Sequence, residues 1–221
     1  MATSRAQRIG IWIIAVVLTV GTIGSFIVII LSTNNTKKDD ARKAELTAQY
    51  QDEYAAYQKK VEAQSTELST KYYVNFSQYS SRAVAFDAAE VKDLKTEDLV
   101  VGDGAEITHS STFYAYYIGW TPDGVVFDQS IDGETLKAPF SATLGSVPQP
   151  VITGWVEGLV GMKTGGVREL TIPSAKGYGE AGSGEKIKPN TPLKFVIMIV
   201  PAPESITAPQ PSKELLKLYG Q

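Results

Sequence analysis

The sequence predicts an α+β fold in which antiparallel strands surround one short helix, carried behind a long helical segment and an apolar amino-terminal span. Three observations predict it. From residue 98 to residue 200 most segments alternate apolar and polar side chains, the two-residue period of a strand. The exception is Val151-Ile152-Thr153-Gly154-Trp155-Val156-Glu157-Gly158-Leu159, where Val151, Trp155 and Leu159 share a helical face with Ile152 and Val156 beside them. A lone short helix among antiparallel strands buries its Trp only if the sheet wraps it. Finally, Gly and Pro are scarce between residues 37 and 72 and plentiful after 100, which marks a change of architecture.

The chain has 221 residues, room for one or two domains. A net charge of −3 gives no reason to expect nucleic acid as a partner. There is no cysteine, so disulfides, thiol chemistry and a lipoprotein-type lipid attachment are excluded. The single histidine, His109, lies in a Thr- and Ser-rich turn, and neither a His-based triad nor a zinc site is available.

Residues 1–10 are basic through Arg5 and Arg8, and residues 11–32 carry no charge. About 22 apolar residues suffice to span a bilayer as a helix. A cleavable signal is the competing reading, but Val28-Ile29-Ile30-Leu31-Ser32 offers no small-x-small site, and an uncleaved anchor is expected. For orientation, Lys37, Lys38, Arg42 and Lys43 outnumber the two arginines and favour a cytoplasmic C-terminal part. The short basic amino end, as a signal-anchor carries it, and the intervening Asp39 and Asp40 favour the opposite. The expectation is a single-pass membrane protein whose C-terminal domain lies on the extracytoplasmic side.

Residues 37–70 read as a helical stalk rich in Ala, Glu, Lys and Gln. Tyr50, Tyr54, Tyr57, Val61, Gln64 and Leu68 step by three or four residues along it. Such a stripe suits either a homodimer through the stalk or an exposed spacer with solvated, charge-balanced faces. Residues 71–85 are aromatic, lack a helical period and read as a connector that docks on something, because exposed aromatics at this density are costly.

Strands follow in order. Asp98 to Ile107 opens the domain with an apolar triplet and a Gly-Asp-Gly turn. Thr112 to Gly119 alternates, Pro122-Asp123-Gly124 turns the chain, and Val125 to Ser130 returns. Pro139 to Leu144 precedes the helix; Val167 to Ile172 and Leu193 to Val200 complete the set. In the tail, residues 201–221, a Pro-rich start cannot continue the sheet. Ser212 to Tyr219 then reads as a short capped helix with Leu215, Leu216 and Tyr219 on one side.

The motifs in this region form an ordered series: Tyr117-Ile118-Gly119, Asp123-Gly124, Phe127-Asp128-x-Ser130, Pro139-Phe140, Leu144-Gly145, Val151-Ile152-x-Gly154-Trp155-x-Glu157-Gly158 and Met162-x-x-Gly165. Leu170-Thr171-Ile172-Pro173, Tyr178-Gly179 and Ile187-x-Pro189-Asn190-x-x-Leu193-x-Phe195 continue it. Order and spacing resemble the FKBP-type peptidyl-prolyl isomerases over residues 86–200. The resemblance implies a twisted antiparallel sheet of about five strands around the short helix.

Rotation about an X–Pro bond faces a barrier of about 18–20 kcal/mol because amide resonance is lost at the twisted point. The twisted amide is less polar than the planar one, so an apolar, water-poor cavity lowers the barrier without nucleophile, metal or cofactor. The resemblance implies Trp155 as the pocket floor, Tyr117, Phe127, Val151, Ile152 and Phe195 as walls, and Phe140 and Ile187 near the rim. It implies that the backbone N–H of Ile152 and the hydroxyl of Tyr178 donate to substrate carbonyls. The resemblance also implies Asp128 as the one buried acid aimed into the site, either at the transition state or as a structural anchor for a neighbouring hydroxyl or N–H. Pro150 stands where many members have an acidic residue, Ser183 where a His often stands, and Lys186 in place of an apolar rim residue. The charged rim bears on macrolide inhibitor binding and substrate preference rather than on the floor. The loop from Ile131 to Lys137 is a little longer than in compact members. Two functions follow: a membrane-tethered isomerase for Pro-containing chains that are exported or at the surface, or a non-catalytic Pro-peptide-binding or chaperone module.

One further expectation comes from the alternation alone. Phe113, Ala115 and Tyr117 share the pocket face with Leu193, Phe195, Ile197 and Ile199; the opposite face holds Tyr114, Tyr116, Val196, Met198 and Val200. That outer face is apolar and needs cover, from the aromatics Tyr72, Tyr73, Phe76 and Tyr79 or from the tail helix.

Overall fold

The computed structural model describes residues 37–220. The basic end at 1–10 and the membrane anchor expected over 11–32 lie outside the described residues. Among the described residues no helix is long and apolar enough to cross a membrane. They form two compact units, one of residues 65–203 and one of residues 37–64 with 204–220.

The larger unit is built on strands β1 (Lys95–Val100), β2 (Thr112–Trp120), β3 (Val126–Gln129), β6 (Phe140–Thr143), β7 (Val167–Ile172) and β8 (Leu193–Val200). They run in the order β1-β7-β8-β2-β3, with β6 also on β2, and every pairing is antiparallel. The register sets Tyr116 against Met198 and Tyr117 against Ile197, so the two faces sort as their alternation requires. Phe113, Ala115, Leu193, Phe195, Ile197 and Ile199 enter one core with Trp155. Tyr116, Ile118, Trp120, Val196, Met198 and Val200 enter a second core on the outer face. The segment 131–137, expected as a loop, folds into a two-stranded hairpin, β4 (Ile131–Asp132) and β5 (Thr135–Leu136), turned at Gly133 with φ 57°.

The pocket helix, α2, spans Thr153–Leu159 and starts two residues later than its apolar stripe predicts. Ile152 is the extended N-cap residue (φ −64°, ψ 153°), so Val151 and Ile152 lead into the helix and remain half-buried at its mouth. The helix face that meets the sheet is Gly154, Trp155, Gly158 and Leu159. A Cβ on Gly154 would lie 2.4 Å from the Ile172 side chain, and one on Gly158 2.8 Å from that of Leu170. The helix therefore sits closer to β7 than any larger residue permits. Its C-terminal end is held by Arg168, whose guanidinium donates to Asp98 at 2.6 and 3.0 Å and to the Gly158 carbonyl at 2.8 Å.

The aromatic segment corrects one expectation. Residues 71–77, read as lacking a helical period, are helical: helix α1 runs over Lys37–Ser77, past the stalk end expected at residue 70, and continues as a tight 3-10 turn at Gln78–Arg82, so that of the expected connector only residues 83–85 lack regular structure. Tyr72, Phe76 and Tyr79, three to four residues apart, lie on one helical face, a period masked in the sequence by Tyr73 and Val74 between the first two. Their rings cover the outer face: Tyr72 and Phe76 lie 5.8 and 6.0 Å from Tyr116, and Phe76 is fully buried. Arg82, the last residue of the turn, and Lys194 of β8 both pair with the buried Glu169, at 2.5 and 2.9 Å.

In the smaller unit the tail helix α3 (Lys213–Leu218) is capped by Ser212, which accepts the Leu215 N–H at 3.1 Å. Leu215 is buried with Leu46 and Tyr50, flanked by Tyr54, Leu218 and Tyr219. Leu218, rather than the expected Leu216, completes its apolar side. Arg42 grips Glu214 through two hydrogen bonds of 2.8 and 3.0 Å.

Candidate functional site

Trp155 is 4% exposed, and four aromatic rings surround it. Tyr117, Phe140 and Phe195 stand edge-on at centroid distances of 5.5, 5.8 and 5.4 Å; Phe113 lies at 6.1 Å, tilted. Phe127 extends the wall, edge-on to Phe195 at 5.5 Å. Edge-to-face packing places the positive ring edge on the negative ring face, so the box holds its shape without cross-links. Its indole Nε1 is buried without a hydrogen-bond partner. The rings come from β2, β3, β6, β8 and α2, elements far apart in sequence that the curled sheet brings together.

Each expected wall residue joins this cluster: Tyr117, Phe127, Val151 and Ile152 pack half-buried against the Trp155 core, as does Phe140, expected near the rim, and Phe195 is part of it. Ile187, expected near the rim, is 5% exposed and buried in the same core. It is pinned there because Ser183 and Ile187 exchange two backbone hydrogen bonds that close the intervening loop. Its neighbour Lys186 lies at the edge instead, its Nζ 3.3 Å from the Phe127 carbonyl and 3.4 Å from that of Val126.

Asp128 is tied on both oxygens. Oδ2 accepts the Tyr117 hydroxyl at 2.6 Å, and Oδ1 accepts the Gln129 N–H at 2.8 Å. Of the two roles read from the sequence, these are the partners of a structural anchor. Burial pushes the Tyr117 phenol well above the ordinary tyrosine range, and the Asp128 charge and hydrogen bond push it further. The Tyr178 phenol is also raised, by burial first and then by Asp128. Both therefore remain protonated donors at neutral pH. Tyr178 is half-buried at the start of the short turn Gly179–Ala181, on the loop that carries Ile187.

Three residues that matter here were not singled out for the site from the sequence. Phe113 supports Trp155 and Phe140, and its alternation phase already placed it on the pocket face. Gly119 makes room for the wall: a Cβ there would lie 2.6 Å from the Phe195 ring and 2.7 Å from that of Phe127. Ser130, 3% exposed, accepts the Tyr117 N–H through its Oγ at 2.9 Å and donates its own N–H to the Tyr117 carbonyl at 2.8 Å. These last two both stand in the motif series, in Tyr117-Ile118-Gly119 and Phe127-Asp128-x-Ser130, which assigned them no place in the pocket.

A family model described as FKBP-type peptidyl-prolyl cis-trans isomerase matches residues 104–200. A Neisseria meningitidis FK506-binding protein is 44% identical over 104 residues, covering 47% of this chain and 91% of the relative. A probable FK506-binding protein of Corynebacterium glutamicum is 38% identical over 113 residues, 50% of this chain and 88% of its own. A probable FKBP-type peptidyl-prolyl cis-trans isomerase, FkpA, of Neisseria meningitidis is 37% identical over 119 residues, 52% of this chain and 41% of its own.

Proposed function

The chain belongs to the FKBP-type peptidyl-prolyl cis-trans isomerases, and we propose that it applies this activity to Pro-containing chains that are exported or at the surface, from a membrane tether at residues 11–32. The observation that carries the mechanism is the aromatic box: four rings around Trp155, with one carboxylate at its side hydrogen-bonded on both oxygens.

A substrate proline seated on Trp155 leaves water behind. The planar amide loses more solvation on entry than the twisted amide does, because the twisted form is less polar. The difference lowers the barrier, and each 1.4 kcal/mol of it gives about a tenfold rate. In this reading Tyr117, Phe127, Phe140, Val151, Ile187 and Phe195 exclude water and hold the ring. The Ile152 N–H, ahead of the first helical turn, and the Tyr178 hydroxyl donate to the carbonyls flanking the proline. Asp128 orients Tyr117 and keeps a fixed negative charge beside the rotating bond. The same pocket is proposed to take a macrolide inhibitor, with Lys186 reducing apolar contact at the edge.

The test is a protease-coupled assay on an X–Pro peptide with the wild type, Tyr178→Phe and Asp128→Asn. These changes alter polarity at nearly constant volume. Turnover should fall in at least one variant with an unchanged circular dichroism spectrum; full activity in both removes the two residues from the mechanism.

The tether rests on the charge-free run of residues 11–32. Protease added to intact cells should remove the isomerase domain and leave a small membrane fragment. Protection of the whole chain would place the domain in the cytoplasm, and a mature protein beginning near residue 33 would mean a cleaved signal. For the stalk stripe we propose the tail helix as partner, since Leu215 already buries Leu46 and Tyr50. Sedimentation of the membrane-free chain should then report a monomer.

A further inference from the structure

Helix α1 does more than cover the outer face. Its Ser69 is 7% exposed, and its Oγ accepts the backbone N–H of Leu136, itself 4% exposed, at 2.8 Å. One turn on, the Tyr73 hydroxyl donates to the Gly133 carbonyl at 3.3 Å. Both bonds land on the β4–β5 hairpin. A helical serine commonly turns its hydroxyl back to a carbonyl of its own helix. The adjacent Thr70 does so, bonding the Thr66 carbonyl at 2.9 Å, whereas Ser69 is committed to the hairpin.

The hairpin in turn grips the strand that carries the acid. Lys137 N–H, just past β5, donates to the Ser130 carbonyl at 2.8 Å, and Lys137 Nζ donates to the Gln129 carbonyl at 2.9 Å. Ser130 is the residue that fixes the Tyr117 backbone from both sides, and Tyr117 holds Asp128. An unbroken run of short contacts thus leads from Ser69 through Leu136, Lys137, Ser130 and Tyr117 to Asp128. Every link is a directional hydrogen bond or a covalent neighbour, and the Ser69–Leu136 end of the run is buried, where a lost partner leaves the Leu136 N–H unsatisfied.

We propose that Ser69 is a positioning residue for isomerisation: by fixing the β4–β5 hairpin it sets the place of the Tyr117–Asp128 pair at the pocket wall. Tyr73 acts with it at the hairpin tip. The proposal rests on Asp128 and Tyr117 belonging to the isomerase site as read above. It makes the end of helix α1 part of the catalytic unit rather than a passive cover.

Contiguity alone does not demonstrate coupling, so the test is a double-mutant cycle on the full chain. kcat/KM for an X–Pro peptide is measured for the wild type, Ser69→Ala, Asp128→Asn and the double variant, with Ser69→Thr and Tyr73→Phe alongside. Ser69→Ala should lower kcat/KM about three- to tenfold, the range of such indirect couplings, chiefly through kcat. Ser69→Thr, which keeps an Oγ, should restore most of it, and Tyr73→Phe should show a smaller loss in the same direction. In the Asp128→Asn background Ser69→Ala should have no further effect. An equal loss in both backgrounds, or no loss in either, overturns the proposal.

A turnover-independent reading separates this from a failure of the assigned roles. The Asp128 side-chain carboxyl carbon and the Tyr117 hydroxyl proton are followed by NMR in Ser69→Ala. Shifted resonances and faster hydroxyl exchange are expected even if Asp128→Asn proves fully active. Unchanged resonances overturn the positioning role whatever the activity.

Discussion

The Tyr117 hydroxyl donates to Asp128 Oδ2 at 2.6 Å, so the one acid at the pocket wall is held by a ring that is itself part of that wall. The bond joins β2 to β3 and couples the shape of the pocket to its charge. Tyr117→Phe keeps the ring and removes the donor. A hydrogen bond to a charged group contributes about 1.5–3 kcal/mol, and denaturant unfolding of this variant should show a loss in that range. Asp128→Asn combined with it should cost less than the sum of the two, because they remove one interaction.

Both site phenols are raised above the ordinary tyrosine value, and the sign of the pH effect follows. Raised folded values mean that the native state keeps protons the unfolded chain gives up above about pH 10. The contribution is fully present below that pH and is lost as the pH climbs from there toward the folded values. Stability should fall on the alkaline side, and kcat/KM should stay level from neutrality to about pH 10 with no step from Tyr117 or Tyr178. A tyrosine-like step near pH 8 would contradict this.

Tyr116 differs from Tyr117 in having a buried hydroxyl with no hydrogen-bond partner. An unsatisfied buried polar group costs about 1–3 kcal/mol, so Tyr116→Phe should melt no lower than the wild type, with a rise of about a few degrees expected. The aromatic contacts to Tyr72 and Phe76 survive the change.

Phe76 is fully buried against Tyr116, and Phe76→Ala should destabilise the larger unit by about 3–5 kcal/mol. A fragment of residues 86–200 leaves the same face bare and should melt below one of residues 65–203. Equal melting would mean that the helix end contributes no net stability.

Gly154 lets α2 approach β7. Gly154→Ala forces a Cβ into the space of the Ile172 side chain, 2.4 Å away, and overpacking of this kind costs about 1–3 kcal/mol. Because Trp155 is the next residue, kcat/KM should drop with stability. The exposed neighbour Thr153, changed to Ala, should leave activity near the wild-type level.

Local pattern in the sequence determined what most segments are, residues 71–77 and 131–137 excepted. Period-two alternation sorted β2 and β8 into two faces that the register confirms residue by residue, since side chains on a strand can point only two ways. Ordered motifs identified the rings around Trp155 other than Phe113, and the apolar outer face already demanded a cover. What tertiary structure decided is where chain segments distant in sequence meet. The helical state of residues 71–77 comes from docking on Tyr116 and Met198, a gain in burial that local propensity does not contain. The bond from Tyr117 to Asp128, the space left by Gly119 and the bond from Ser69 to Leu136 likewise depend on partners 8 to 76 positions away along the chain, from Gly119 to Phe127 at one end and from Gly119 to Phe195 at the other. Hydrogen bonds and close contacts act over a few ångströms, and only the folded chain brings those atoms within that range.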